Sequence, residues 1–125
     1  MKVIINIFIL FLLGAPFMLV AQDNGSIVIK ENTRKAAVRY ALKNGHRIFL
    51  EAPFTSCEEV IVSAEPLLFK VYGKKNIRSE KPYRCYSREP YWHMRGSLPQ
   101  GYQGGVFELI INKDTGEVFK IIHGK

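Results

Sequence analysis

Cysteine, histidine and tryptophan are scarce in this chain of 125 residues, which holds two, three and one of them. Two cysteines exclude a disulfide-dense scaffold, which needs several bridges to replace a small core. The histidines, His46, His93 and His123, stand at no metal-ligand spacing from one another, from a cysteine or from an acid. No zinc site is therefore written in the sequence. Acids are also few: 11 Asp and Glu face 18 Lys and Arg, a formal net charge of +7. That balance favours acidic partners or anionic surfaces and disfavours a mimic of nucleic acid. The basic residues form no dense run, and the one concentration is Lys74, Lys75, Arg78, Lys81, Arg84 and Arg88. No nucleic-acid motif accompanies them, so nucleic acid is not an expected partner. Internal repeats and low-complexity segments are missing. The glycine run from Gly101 to Gly105 follows no strand-to-helix arrangement and lacks the Lys-Ser/Thr of a phosphate loop.

What is present begins with an apolar segment. From Val3 to Val20 the only polar side chain is Asn6, and Lys2 precedes it. A positive start, an apolar stretch and a small residue before a polar turn describe an export signal. The expected cut lies between Ala21 and Gln22, although Leu19 is large for the position three residues before it. Gly14 and Pro16 break a helix where a membrane-spanning one would continue. An uncleaved segment tethering the domain to the membrane is the alternative. There is no cysteine near the cut for a lipid anchor. Residues 1–21 are thus set aside as a signal peptide, and residues 22–125 form one small domain, periplasmic or secreted. No other apolar run could span a bilayer, so no stable membrane insertion is expected after cleavage. In such a compartment Cys57 and Cys85 can oxidise to their single possible pairing, closing a loop of about 28 residues. Two buried free thiols are the alternative.

The mature region reads as helices followed by strands. Ile27-Val28-Ile29 is a short β-branched run, and Asn32 or Thr33 can cap a helix over 34–43, which Asn44-Gly45 ends. Residues 47–50 are extended. After Pro53, the pairs Thr55/Glu58 and Ser56/Glu59 can each form a capping box. Val60, Ile61, Ala64, Leu67, Leu68 and Val71 then recur at helical spacing. Pro66 should kink or split this helix, and Gly73 should stop it. Residues 81–88 and 91–98 read as strands around the turn signal Glu89-Pro90, with Arg84, Tyr86 and Arg88 sharing one face. Residues 99–105 form a loop. Residues 106–112 and 117–122 flank Lys113-Asp114-Thr115-Gly116, a tight hairpin with glycine in the left-handed position. The expected fold class is α+β, with N-terminal helices packed on an antiparallel sheet of about four strands.

Catalytic constellations are not evident. Cys57 at a helix start would favour a thiolate, but no nucleophile motif surrounds it. Glu58 and Glu59 are accounted for by capping and the helix dipole. No catalytic residue, cofactor or metal is assigned. Binding is the better reading. Tyr83, Tyr86, Tyr91, Trp92 and Tyr102 interleave with Arg84, Arg88 and Arg95, and Tyr, Trp and Arg dominate binding hot spots. Either Tyr91 or Trp92 should be buried, because they alternate. Arg84, Arg88, Trp92, Arg95 and Tyr102 are the candidate partner-contact residues.

The order of short motifs adds a family. Tyr72-Gly73, Lys81-Pro82-Tyr83, a strand bearing Trp92, Gly96-Ser97-Leu98-Pro99-Gln100-Gly101, Gly104-Gly105-Val106, Asp114-Thr115-Gly116-Glu117 and His123-Gly124-Lys125 follow one another. This resembles bacterial immunity proteins with a nuclear transport factor two-like fold, of the cystatin-like superfamily, over about residues 53–125. The resemblance implies a curved antiparallel sheet cradling helices, a protein partner in the form of a cognate toxin delivered by related bacteria, and neutralisation by direct binding without catalysis. A periplasmic peptidase-inhibitor or sensor domain of cystatin-like architecture is the alternative, and a small-ligand-binding member of the fold a further one.

Overall fold

A computed structural model describes residues 25–124; the segment read as an export signal and the Ala21–Gln22 bond lie outside the described residues. The fold is α+β. It begins with β1 (Ser26–Ile29), α1 (Lys35–Lys43) and β2 (Arg47–Leu50), in which β1 and β2 pair in parallel with Ile27 opposite Ile48. Helices α2 (Cys57–Tyr72) and α3 (Lys74–Arg78) follow. Strands β3 (Arg84–Arg88), β4 (Tyr91–Arg95), β5 (Phe107–Asn112) and β6 (Val118–His123) then form an antiparallel meander in that order. The parallel pair β1–β2 was not anticipated, since two four-residue runs carry little periodicity of their own.

Local signals explain most boundaries. Ser56 caps α2, its hydroxyl accepting from the Glu59 N–H at 3.3 Å, and the Glu59 carboxylate accepts from the Thr55 N–H at 2.7 Å. Of the two possible capping pairs, Ser56/Glu59 is the one used. Helix α1 differs from expectation: Arg34 occupies its N-cap without a side-chain bond, and the Thr33 hydroxyl instead accepts from the Lys30 N–H at 2.8 Å. Thr33 closes the preceding turn and so is not free to cap. Helix α2 runs unsplit through Pro66. The carbonyl that Pro66 cannot serve is that of Val62 one turn earlier. Val62 is 70% exposed, so that side of the helix is open to water.

The core lies between the helices and one face of the sheet. Val60, Ala64, Leu67 and Leu68 of α2 join Trp92, Met94, Phe107, Leu109 and Ile111 of the strands in one buried cluster. Cys57 at the start of α2 and Cys85 of β3 are bonded, with Cα atoms 5.9 Å apart. Strict alternation in β6 would put Val118, Lys120 and Ile122 on one face. A register shift between Ile110 and Ile111 changes this: Val118 lies opposite Ile111, Lys120 opposite Ile110, and Phe119 is the extra residue. Val118 thereby packs against the core while Lys120 and Ile122 stay on the outer face. The β5–β6 turn is closed by the Asn112 Oδ1, which accepts from the Asp114 and Thr115 N–H groups at 2.8 and 2.9 Å. Gly116 follows at φ +77°, and a Cβ there would meet the Leu50 carbonyl oxygen at 2.2 Å. That close approach lets the Leu50 N–H donate to the Gly116 carbonyl at 2.8 Å, fastening β2 to the hairpin. Arg47 reinforces the joint with two hydrogen bonds to Glu117, at 2.9 and 2.8 Å.

Candidate functional site

The outer face of the four-stranded sheet carries three cross-strand rows. Arg84, Arg95, Glu108 and Ile122 form the first; Tyr86, His93, Ile110 and Lys120 the second; Arg88, Tyr91 and Asn112 the third. Phe119 extends the third row, its ring centroid 5.4 Å from that of Tyr91. Tyr86, Phe119 and Ile122 are exposed, as are Arg84, Arg88 and Arg95. The face therefore mixes aromatic, aliphatic and guanidinium surface, which is the composition of interface hot spots.

Charge on this face is unevenly compensated. Glu108 is the cross-strand neighbour of Arg95, yet its carboxylate is held elsewhere. One oxygen lies 2.5 Å from His93 Nε2 and the other 3.4 Å from Lys120 Nζ. Burial works to raise the Glu108 pKa, and these partners outweigh it to hold the pKa below the usual carboxylate value. Among the described residues, Arg84, Arg88 and Arg95 have no carboxylate partner; Arg88 lies over the Tyr86 ring at 5.7 Å. Arg84 and Arg95 face each other directly across β3 and β4. Like charges so placed are unfavourable unless something else neutralises them. They open onto a groove of about 510 Å³, whose apolar lining includes Leu98, Val106 and Ile122.

The five residues expected to contact a partner are thus not one patch. Arg84, Arg88 and Arg95 share the outer face. Trp92 does not join them: alternation along β4 turns it toward the core, where it is 8% exposed. The Lys113 ammonium covers its ring at 4.5 Å. Tyr102 is 69% exposed on the 96–106 connection and borders a separate hollow of about 480 Å³ with Tyr72, Glu80 and His123.

That second hollow holds a pair that no sequence pattern announced: His123 is an exposed residue at the end of the edge strand β6, and it meets Glu80 there. Glu80 is 6% exposed, and its carboxylate accepts from the Phe107 N–H at 2.8 Å while its other oxygen lies 2.7 Å from His123 Nε2. His123 Nδ1 faces the Gly124 carbonyl at 2.7 Å. With acceptors on both ring nitrogens, only the imidazolium satisfies both. Burial pulls the His123 pKa down, but the Glu80 carboxylate and the Gly124 carbonyl overcome it and the net shift is upward. The motif glycines pack around this pair. A Cβ on Gly96 would lie 2.4 Å from a Glu80 carboxylate oxygen, and one on Gly105 would lie 2.2 Å from the Gly124 carbonyl carbon. The Ser97 N–H donates to the Glu80 carbonyl at 2.6 Å and its hydroxyl to the Pro82 carbonyl at 2.5 Å. The polar groups here are spent on one another. The Gly96-Ser97, Gly105-Val106 and His123-Gly124 motifs therefore build a structural clasp with Glu80, which closes the loop between β4 and β5 onto the end of β6.

Among the described residues no three His, Cys, Asp or Glu side chains gather as a metal site requires, and no helix is long and apolar enough to cross a membrane.

A family model described as NTF2 fold immunity protein matches residues 60–125, from α2 through the clasp and beyond the end of β6. The chain belongs to this family of immunity proteins. Its matched segment contains the whole four-stranded sheet, both arginines of the groove and the Glu80–His123 clasp. The "Uncharacterized protein YbbC" of Escherichia coli (strain K12) is 38% identical over 55 residues, which is 43% of this chain and 45% of that protein. The chain thus aligns with less than half the length of that relative. No solved structure matches the chain.

Proposed function

We propose that this immunity protein is exported and neutralises a cognate bacterial toxin by binding it directly outside the cytoplasm. The observation that carries the reading is the outer sheet face. Three arginines without carboxylate partners among the described residues stand beside the exposed side chains of Tyr86, Phe119 and Ile122, on a sheet whose other face is committed to the core. A surface of that composition is suited to a protein partner. The net charge of +7 and the exposed arginines point to an acidic partner and away from mimicry of nucleic acid toward a nuclease. Export rests on the sequence of residues 1–21 and is supported by the Cys57–Cys85 bond, since such bonds persist in oxidising compartments.

The test is a protection assay. The product of the gene adjacent to this one is expressed in the periplasm of a host, with and without the full chain. The expected result is growth arrest that the chain relieves, together with a complex of the two purified proteins. A neighbour that is harmless alone, or that arrests growth equally in the presence of the chain, would overturn the assignment. A chain that protects only when stripped of residues 1–21 would overturn the exported location and leave the immunity role.

A further inference from the structure

We propose that the groove between Arg84 and Arg95 is the docking point for an acidic side chain of the protein partner. The inference rests on the reading that the partner engages the outer sheet face, and it names the chemistry of that contact.

Arg84 and Arg95 are direct cross-strand neighbours, and their like charges oppose each other. Among the described residues, the groove offers one acid to relieve them. Glu108 stands opposite Arg95 on β5, but His93 at 2.5 Å and Lys120 at 3.4 Å claim both of its oxygens. The guanidinium pair is left facing a groove of about 510 Å³ in which, among the described residues, Glu108 is the only acidic lining residue. An arginine fork matches a carboxylate in bidentate geometry, and two forks from adjacent strands can hold one carboxylate from both sides. The groove's apolar lining suits the methylene stem of an Asp or Glu side chain. Arg88, which has no carboxylate partner among the described residues, adds positive potential on the same face that would steer an acidic surface toward it. A second copy of this chain is a poor occupant, because it would bring the same excess of positive charge.

The test uses the protein as the cell produces it, with isotopically labelled arginine, titrated with N-acetylated tetraglutamate. Acetylated tetralysine and inorganic phosphate serve as controls. The expected result is movement of the Arg84 and Arg95 side-chain resonances by tetraglutamate and not by tetralysine. Binding should weaken about tenfold in Arg84→Gln/Arg95→Gln, as loss of a charge-assisted pair implies, and change less than about twofold in Arg88→Gln. Equal weakening by Arg88→Gln, or no movement of Arg84 and Arg95, would overturn the proposal. Phosphate binding as tightly as the peptide would also overturn it, marking a general anion site. The protection assay separates this inference from the function it rests on. Arg84→Glu/Arg95→Glu protecting as well as the parent sinks the groove and leaves the immunity role. A parent that fails to protect sinks the immunity role, while the titration still decides the groove.

Discussion

Glu80 shows how one side chain can organise a motif. It is a carboxylate at 6% exposure, a placement tolerated only with full pairing, and the Phe107 N–H and His123 supply it. The glycine at position 96 is then obligatory, because any side chain would occupy the space of the Glu80 carboxylate. The sequence displayed the glycines, the Ser97-Leu98-Pro99 run and the closing His123-Gly124, but not that they surround Glu80. A lone acid between a helix and a strand carries no local pattern; only the tertiary fold brings residues 80, 96, 107 and 123 together. The clasp has a pH signature. His123 titrates above its ordinary value of 6.5 in the fold, the upward pull of Glu80 and Gly124 exceeding the downward pull of burial. The folded protein therefore holds a proton that the unfolded chain releases first as pH rises. The stabilisation is complete below about pH 6.5 and is lost as pH passes upward through the folded-state value. Urea denaturation of the parent and of His123→Gln should show a larger stability gap at about pH 5.5 than at about pH 8.5. A gap independent of pH, or one that widens with pH, would show that the imidazolium is not what the clasp holds.

At the scale of elements, the legible parts were those with strong periodicity. Helix α2, the four antiparallel strands and the Asn112–Gly116 turn all follow from local pattern. Strand faces were legible too: the alternation of Arg84, Tyr86 and Arg88 against Cys85 survives in the fold. The β6 register was not legible, because a bulge between Ile110 and Ile111 sends Val118 and Lys120 to opposite faces, and nothing in Val118-Phe119-Lys120 announces the extra residue. Trp92 carried two expectations, partner contact from its residue type and burial from the β4 alternation, and the fold turns it inward at 8% exposure. The edge strand β3 depends on one covalent link, Cys57–Cys85, which ties it to the N-terminus of α2 across 28 residues. A loop of that size implies about 3–4 kcal/mol of stabilisation through the unfolded state. Cys57→Ser/Cys85→Ser should lose roughly that amount in a denaturant titration, with the slope of the transition re-measured because the unfolded state itself changes. Reduction of the parent should reproduce the loss. A deficit under about 1 kcal/mol would show that α2 and β3 are held by packing alone.

For the whole molecule, the family segment and the folding unit do not coincide. The family model begins at residue 60, and the motif resemblance begins at about residue 53. The β1–α1–β2 unit precedes both, and its two short strands gave the sequence reading nothing beyond possible extended segments. Yet, among the described residues, Ile29, Val38, Ala41, Ile48 and Leu50 are five of the sixteen buried apolar residues of the core cluster. Burying side chains of this size contributes about 1.5–3 kcal/mol each for the larger ones. That sum is comparable with the entire net stability of a small domain, about 5–15 kcal/mol. The attachment is also specific: the Leu50 N–H bonds to the Gly116 carbonyl, Phe49 bridges Glu117, and Arg47 grips the Glu117 carboxylate. Glu117 responds with a lowered pKa, set first by the hydrogen bond from Arg47, opposed by burial and reinforced by the Arg47 charge. The matched segment alone would expose the side of α2 and of the hairpin that these residues cover. A fragment of residues 53–125 should therefore lack a cooperative thermal transition and bind a hydrophobic dye, where residues 22–125 melt in one step. The fragment should also fail in the protection assay even though it contains Arg84, Arg88 and Arg95, because the sheet that aligns them would not be held. A fragment that melts cooperatively and protects would instead make β1–α1–β2 an addition to a domain already complete.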